Sequence, residues 1–249
     1  HSVLLRPRIQ TFMAGILLQL AKEAMEPWGV QMSKHAMTSE QASQKKKQGH
    51  KREQEFNKRY GDPNASINHS GASADCEISE GHEILETLQE TIGTNSREVS
   101  LKGGNTIQIH LGNLPELTDK ANYAVSENSW GHTCVDHGIP FPQQVESLRQ
   151  KDFWDKYLKK GDILAYSYDD TGDGSHIFFN MDDVNDFIIN ECEWRHLETG
   201  RLKGDIQGKQ YLTYEYRSNK DLFVLGAHGG KKGKKFIDLL QKNLRHVIA

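Results

Sequence analysis

The chain has 249 residues, 36% of them hydrophobic and 26% charged, and its 31 lysines and arginines against 34 aspartates and glutamates leave a formal charge of -3. That balance suits a globular protein with room for one sizeable core, and no run approaches the ~20 apolar residues that a membrane-spanning helix requires. The three cysteines, Cys76, Cys134 and Cys192, share no CxxC spacing, which argues against a disulfide framework or a zinc ribbon and for a reducing cytoplasm.

Ile9, Phe12, Met13, Ile16, Leu17, Leu20 and Ala24 recur at three and four residues, which predicts a first helix packed on protein. Arg6 and Arg8 ahead of this run superficially resemble the start of a secretory signal, but the amphipathic spacing favours the helix. Glu26-Pro27-Trp28-Gly29 ends it. Thr38-Ser39-Glu40-Gln41 offers a capping box for a second helix that runs to Tyr60 and closes at Gly61. This helix carries Lys45, Lys46, Lys47, Lys51, Arg52, Lys58 and Arg59, either as a solvated face or as a phosphate-facing one. Asp62 to Ser73 is a turn-rich connector.

From Ala74 onward short alternating segments read as strands rather than long helices. Arg97 to Leu101 and Thr106 to Leu111, on either side of Lys102-Gly103-Gly104-Asn105, suggest a hairpin. Lys120 to Trp130 and Pro142 to Leu158 are helical or mixed. Asp162 to Tyr168, Ile177 to Asn180, Gln210 to Tyr216 and Leu222 to Leu225 are strand candidates, and Lys235 to Val247 is a closing amphipathic helix with Phe236, Leu239, Leu240, Leu244 and Val247 inward. This order predicts an α/β fold, a mixed sheet flanked by helices behind an N-terminal helical segment.

The residues with chemical potential cluster in the middle of the chain. In Ser73-Ala74-Asp75-Cys76-Glu77-Ile78 a spacing of two puts Asp75 and Glu77 on one face of an extended strand. In Arg97-Glu98-Val99-Ser100-Leu101-Lys102 the same period aligns Glu98, Ser100 and Lys102, with Val99 and Leu101 directed into a core. Two polar ridges backed by apolar residues could meet across neighbouring strands. Carboxylate-bound magnesium and a nearby lysine are the groups that phosphodiester hydrolysis needs, to activate water and to neutralise charge on the phosphate.

The pairing of a small-residue-Asp segment with a later Glu-Val-Ser-Leu-Lys-Gly-Gly segment resembles the PD-(D/E)xK nucleases, specifically type II restriction endonucleases whose signature has drifted to xSxK. The resemblance covers about Gly49 to Gly112, with a looser likeness at Phe223 to Ala227. It implies a restriction-endonuclease-like fold, with Asp75 as the central metal ligand, Lys102 as the catalytic lysine, magnesium as the cofactor and duplex DNA as the substrate. Ala74 stands where the family has proline, and Ser100 stands where it has the second acid. Glu98 or Glu77 could replace that acid, and Ser100 could hold the metal through water. Family members often add a glutamate from the preceding helix; Glu55 is preferred for this, with Glu53 behind it. Gln108 is a further candidate for positioning the phosphate or a water.

The resemblance implies one nuclease domain over 1–249, with an N-terminal appendage at 1–37, a catalytic core segment at 38–112, and recognition and closing elements at 113–249. It further implies a homodimer acting on palindromic sites, products with 5′-phosphate and 3′-hydroxyl ends, and a cytoplasmic setting of prokaryotic or viral origin. Lys51, Arg52, Lys231 and Lys232 are candidate DNA contacts, the last two within Gly229-Gly230-Lys231-Lys232-Gly233-Lys234-Lys235, which lacks the full GxxxxGK[ST] spacing of a nucleotide triphosphatase. Arg149, Arg195 and Arg201 are suited to reading base edges. Trp130 to His137 matches no zinc pattern, and Asp169 to Gly174 lacks the flanking helices and closing glutamate of a calcium loop. The alternatives to a restriction enzyme are a structure-specific repair or recombination nuclease and a DNA-binding module whose active site has decayed.

Overall fold

A computed structural model describes residues 39–65, 74–113, 146, 148–155, 161–169, 174–196, 202–217 and 222–249. The chain divides into two compact units, His1–Lys45 and Lys46–Ala249, with the boundary inside the first described helix. The helix expected over Ile9 to Ala24, the segment Trp130 to His137 and Arg201 lie outside the described residues. Among the described residues no helix is long and apolar enough to cross a membrane.

Helix α1 spans Ser39–Tyr60, strand β1 Cys76–Glu77, helix α2 Ile84–Ile92 and strand β2 Glu98–Gly103. Strand β3 follows at Ile107–Asn113, then the short helix α3 at Lys151–Phe153, β4 at Ile163–Ser167, β5 at His176–Asn180 and helix α4 at Met181–Glu191. Strands β6 to β9 are Cys192–His196, Leu202–Ile206, Lys209–Arg217 and Leu222–Ala227, and the chain closes with helix α5 at Lys232–Asn243 and β10 at Val247–Ile248.

Two sheets of five strands result. The first has the order β1-β2-β4-β5-β10 and is mixed, since β2 and β4 run parallel while the other neighbours are antiparallel. The second, β3-β9-β8-β7-β6, is antiparallel throughout. Strand β4 explains how the first sheet is held. All five of its residues, Ile163 to Ser167, are buried, as expected of a strand covered on both faces. Ile163 and Ala165 face a core with Val99, Leu101, Phe178, Phe56, Tyr60, Ile84, Leu88 and Ile92. Leu164 and Tyr166 face the opposite way, into a core shared with Ile107, Leu212 and Leu225 of the second sheet and with Ile188, Phe236 and Leu240 of α4 and α5.

Helix α2 follows from Ile84, Leu88 and Ile92 at a spacing of four, all buried, and Gly93 ends it in the left-handed region at φ 71. Helix α4 starts where the Asn180 side chain accepts the Asp182 backbone N–H at 2.9 Å, with Asp182 and Asp183 in the first turn. Neither helix is foreseen by a reading of the region after Ala74 as strands. Strands β6, β7 and β10 were also not anticipated.

Two expectations are corrected. β2 and β3 do not form a hairpin: β2 already has β1 and β4 on its two edges, so β3 crosses to the second sheet and pairs with β9. Gly104, at φ 78, sits in the link between them. Helix α5 also stops at Asn243 rather than reaching Val247, because Leu244 to Ala249 extends and Val247 pairs with Phe178 of β5. Phe236, Leu239 and Leu240 are buried as the amphipathic spacing requires.

Candidate active site

β1 is an edge strand of the first sheet, and Asp75 lies at the bend just before it. The register is set by Cys76 opposite Val99 and Glu77 opposite Glu98, and the Asp75 N–H donates to the Val99 carbonyl at 2.9 Å. This brings Asp75 beside Ser100. Lys102, two residues further along the same face of β2, reaches the same carboxylate. Its Nζ donates to Asp75 Oδ2 at 2.7 Å, and Ser100 Oγ donates to that oxygen at 3.3 Å. The Lys102 side chain is only 15% exposed against 38% for Asp75, so the lysine is walled by protein and the carboxylate opens toward solvent.

Helix α1 supplies a second carboxylate. Glu53 stands three residues before Phe56 and seven before Tyr60, both buried, so helical geometry places it on the inward stripe. Its Oε2 is buried with no hydrogen-bond partner. Burial first, and then the negative charge of Asp75, raise its pKa from 4.5 to about 7, with Lys102 and Arg52 pulling the other way. The same two acids, after burial, push the Cys76 thiol up. The neighbouring Arg52 packs against the end of β2 so closely that a Cβ at Gly103 would collide with its guanidinium group. A glycine directly after Lys102 therefore lets an arginine approach the site.

The remaining candidates are placed as follows. Glu55 is on the other side of α1 and pairs with Lys58 at 2.7 Å. Glu77 is exposed and pairs with Arg97. Glu98 is exposed, and its carbonyl accepts the Asp162 N–H at 3.1 Å; no hydrogen bond or ion pair joins its carboxylate to Asp75 or Lys102 among the described residues. Gln108 lies on β3 in the second sheet, opposite Gly226 and beside an irregularity in the ladder. Lys51 is exposed on α1, and Lys231 and Lys232 lie at the start of α5. Arg195 pairs with Asp205 at 2.5 Å on the second sheet.

The structure thus joins Asp75, Ser100 and Lys102 with Arg52 and Glu53, and leaves Glu55, Glu77, Glu98 and Gln108 outside that contact set. The sequence signal for Glu53 over Glu55 was the 53-56-60 spacing. Among the described residues no group of three or more His, Cys, Asp or Glu side chains forms a ready cage for a cation. Asp75 and Glu53, close enough to repel one another and the latter with an orphaned buried oxygen, nonetheless match the oxygen-donor chemistry of a hard divalent cation that keeps several waters. No known protein family, curated protein or solved structure matches this chain.

Proposed function

We propose that the protein is a magnesium-dependent endonuclease of double-stranded DNA, of the type II restriction-endonuclease kind within the PD-(D/E)xK class. The observation that carries this reading is the convergence of Lys102 and Ser100 on one oxygen of Asp75, with the half-buried Glu53 carboxylate near enough to feel its charge. Lys102 and Asp75 satisfy one another, but Glu53 beside them is a half-buried acid with an unpartnered oxygen, repelled by Asp75, and a bound cation would relieve it.

In this reading Asp75 and Glu53 would hold the magnesium, with Ser100 keeping the Asp75 carboxylate in place. Bound magnesium would supply positive charge at the attacked phosphate and acidify the attacking water. Lys102 turns from Asp75 to the scissile phosphate, where its ammonium neutralises charge that grows as the phosphorus is attacked. Glu53 would have to be ionised to hold the cation, so cation affinity would rise with pH through about 7. Arg52, at the end of the catalytic strand, and Lys51 contact neighbouring phosphates. A homodimer would match a palindromic site. The first sheet with α1 and α2 on one side would be the restriction-endonuclease-like core, and the second sheet would carry recognition elements.

Digestion of phage DNA tests the reading. Discrete fragments with magnesium and none with EDTA are expected. DNA left intact under both conditions contradicts it.

A further inference from the structure

A cleft of about 540 Å³ lies beyond the end of the catalytic strand, lined by Gly104 and Asn105 of the β2–β3 link, by Tyr168 just after β4, and by Lys231, Lys234 and Lys235 at the start of α5. Its position relative to Lys102 is fixed by Gly233. The Gly233 N–H donates to the Asn105 carbonyl at 2.8 Å, and a Cβ at position 233 would lie 2.8 Å from that oxygen, so only glycine lets α5 dock on the link. The glycine-lysine segment and the catalytic strand are thereby joined through the cleft.

The charge in this cleft is unevenly satisfied. Asp238 accepts from the Tyr168 hydroxyl at 3.1 Å, and Asp169, also in the wall, accepts from the Gly174 N–H and from Ser167 Oγ. Both acids are held in place by neutral donors and keep their negative charge, so the lining carries three lysines against two carboxylates. None of Lys231, Lys234 and Lys235 has an ion-pair partner among the described residues, and Lys234 stands with its Nζ 5.2 Å from the centre of the Tyr168 ring. Tyr168 is held by Asp238, by Gln241 at 2.6 Å and by an edge contact with Tyr166 at 5.2 Å, yet the residue remains 39% exposed. A fixed, exposed aromatic ring with Lys234 over it, in a cleft where lysines outnumber carboxylates three to two and none of the three lysines is ion-paired, is suited to a ligand that combines a negative phosphate with a flat ring.

We propose that this cleft seats one nucleotide of the DNA strand flanking the cut position, its phosphate on Lys231 and Lys235 and its sugar and base against Tyr168. The proposal rests on the nuclease reading for the identity of the strand, but the seat itself is a claim about nucleic-acid binding and needs no cleavage. Lys232 differs from Lys231 in facing Lys203, Asp205 and Arg195 of the second sheet, although Lys235 is also near it.

The test is the affinity of a fluorescent 20-base-pair duplex and of its single strand, measured in EDTA over a range of salt. The proteins are the wild type, Lys231→Ala with Lys235→Ala, Tyr168→Ala, and a charge-matched control, Lys209→Ala with Lys242→Ala. Thermal melts establish that each is folded. The paired cleft substitution should weaken binding about tenfold and lower the slope of log affinity against log salt by about 1, the loss of one phosphate contact. Tyr168→Ala should weaken binding about tenfold with the slope unchanged, as loss of an uncharged ring contact does. The control pair should stay within about twofold of wild type if the seat is specific. Cleft variants that bind like the control overturn the proposal, as does a wild-type protein that binds neither DNA. Cleavage by the wild type in magnesium, read separately, reports on the nuclease reading: DNA that is bound through the cleft but never cut would sink that reading and leave the seat standing.

Discussion

Replacing Glu53 with glutamine should make the cation-free protein more stable, and only at neutral to alkaline pH. The carboxyl is held at a pKa of about 7 against an ordinary 4.5, so at pH 8 the folded state carries a charge that burial and Asp75 both oppose. At about 1.4 kcal/mol per pH unit, a fully buried group would cost about 3.5 kcal/mol across that gap. Glu53 is only half-buried, and screening by water reduces the figure to about 1.5 kcal/mol. The sign follows from proton binding. Between pH 4.5 and 7 the folded protein holds a proton that the unfolded chain has released, so the destabilisation grows as pH rises and is fully present above pH 7. Glu53→Gln removes it. At about 2 to 4 °C per kcal/mol for a chain of this size, the variant should melt about 3 to 6 °C above wild type at pH 8 in EDTA, and within about 1 °C of it at pH 4.5. Magnesium should narrow the gap by stabilising only the wild type. Calorimetry at the two pH values decides the matter: a variant that melts lower than wild type at pH 8 would refute the claim that Glu53 is an uncompensated carboxylate.

The inward stripe of α1 also predicts that Glu55→Gln leaves magnesium-dependent cleavage within about twofold of wild type, whereas Glu53→Gln lowers it by at least about a hundredfold, read from initial rates on plasmid DNA. Acid sensitivity should centre on His176, which is fully buried among Phe56, Tyr60 and Phe178 with both ring nitrogens lacking a hydrogen-bond partner. Burial first, then Arg59, lower its pKa from 6.5 to about 4, with Asp169 opposing. The unfolded chain takes up this proton first, so stability present above pH 6.5 is lost as pH falls to about 4, by about 3 kcal/mol in all. In urea titrations, stability relative to His176→Phe should fall across that window; a difference that does not vary with pH would contradict this. Gly233→Val should force α5 off the Asn105 carbonyl and cost about 2 kcal/mol or more in urea unfolding, because backbone rather than a flexible side chain stands in the way.

The parts of the fold legible from sequence are those with a strong local period. Helix α1, strands β4, β5, β8 and β9, and the inward residues of α5 follow from alternation or from three-four spacing. Helix α2 was equally legible through Ile84, Leu88, Ile92 and Gly93, but the expectation of strands throughout the region obscured it. The β2–β3 separation was not legible. Two alternating runs around Gly103-Gly104 read locally as a hairpin, and only the parallel pairing of β2 with β4, a contact across about sixty residues of chain, removes the edge that a hairpin needs. At the site, Asp75, Ser100 and Lys102 were set by strand alternation and lie together. The choice among the glutamates depended on which face of α1 packs inward and on Arg97 and Lys58 engaging Glu77 and Glu55, which is tertiary information.

The central claim is that Asp75 and Lys102 form the cutting centre of a nuclease. It is tested most directly by comparing wild type with Asp75→Asn and Lys102→Met for cleavage of a plasmid in magnesium and, in parallel, for binding of a labelled duplex in EDTA. The account predicts that both variants fold and bind DNA to within about tenfold of wild type while cleavage falls by at least about a thousandfold. Cleavage that persists in either folded variant would place the chemistry elsewhere in the chain and contradict the account.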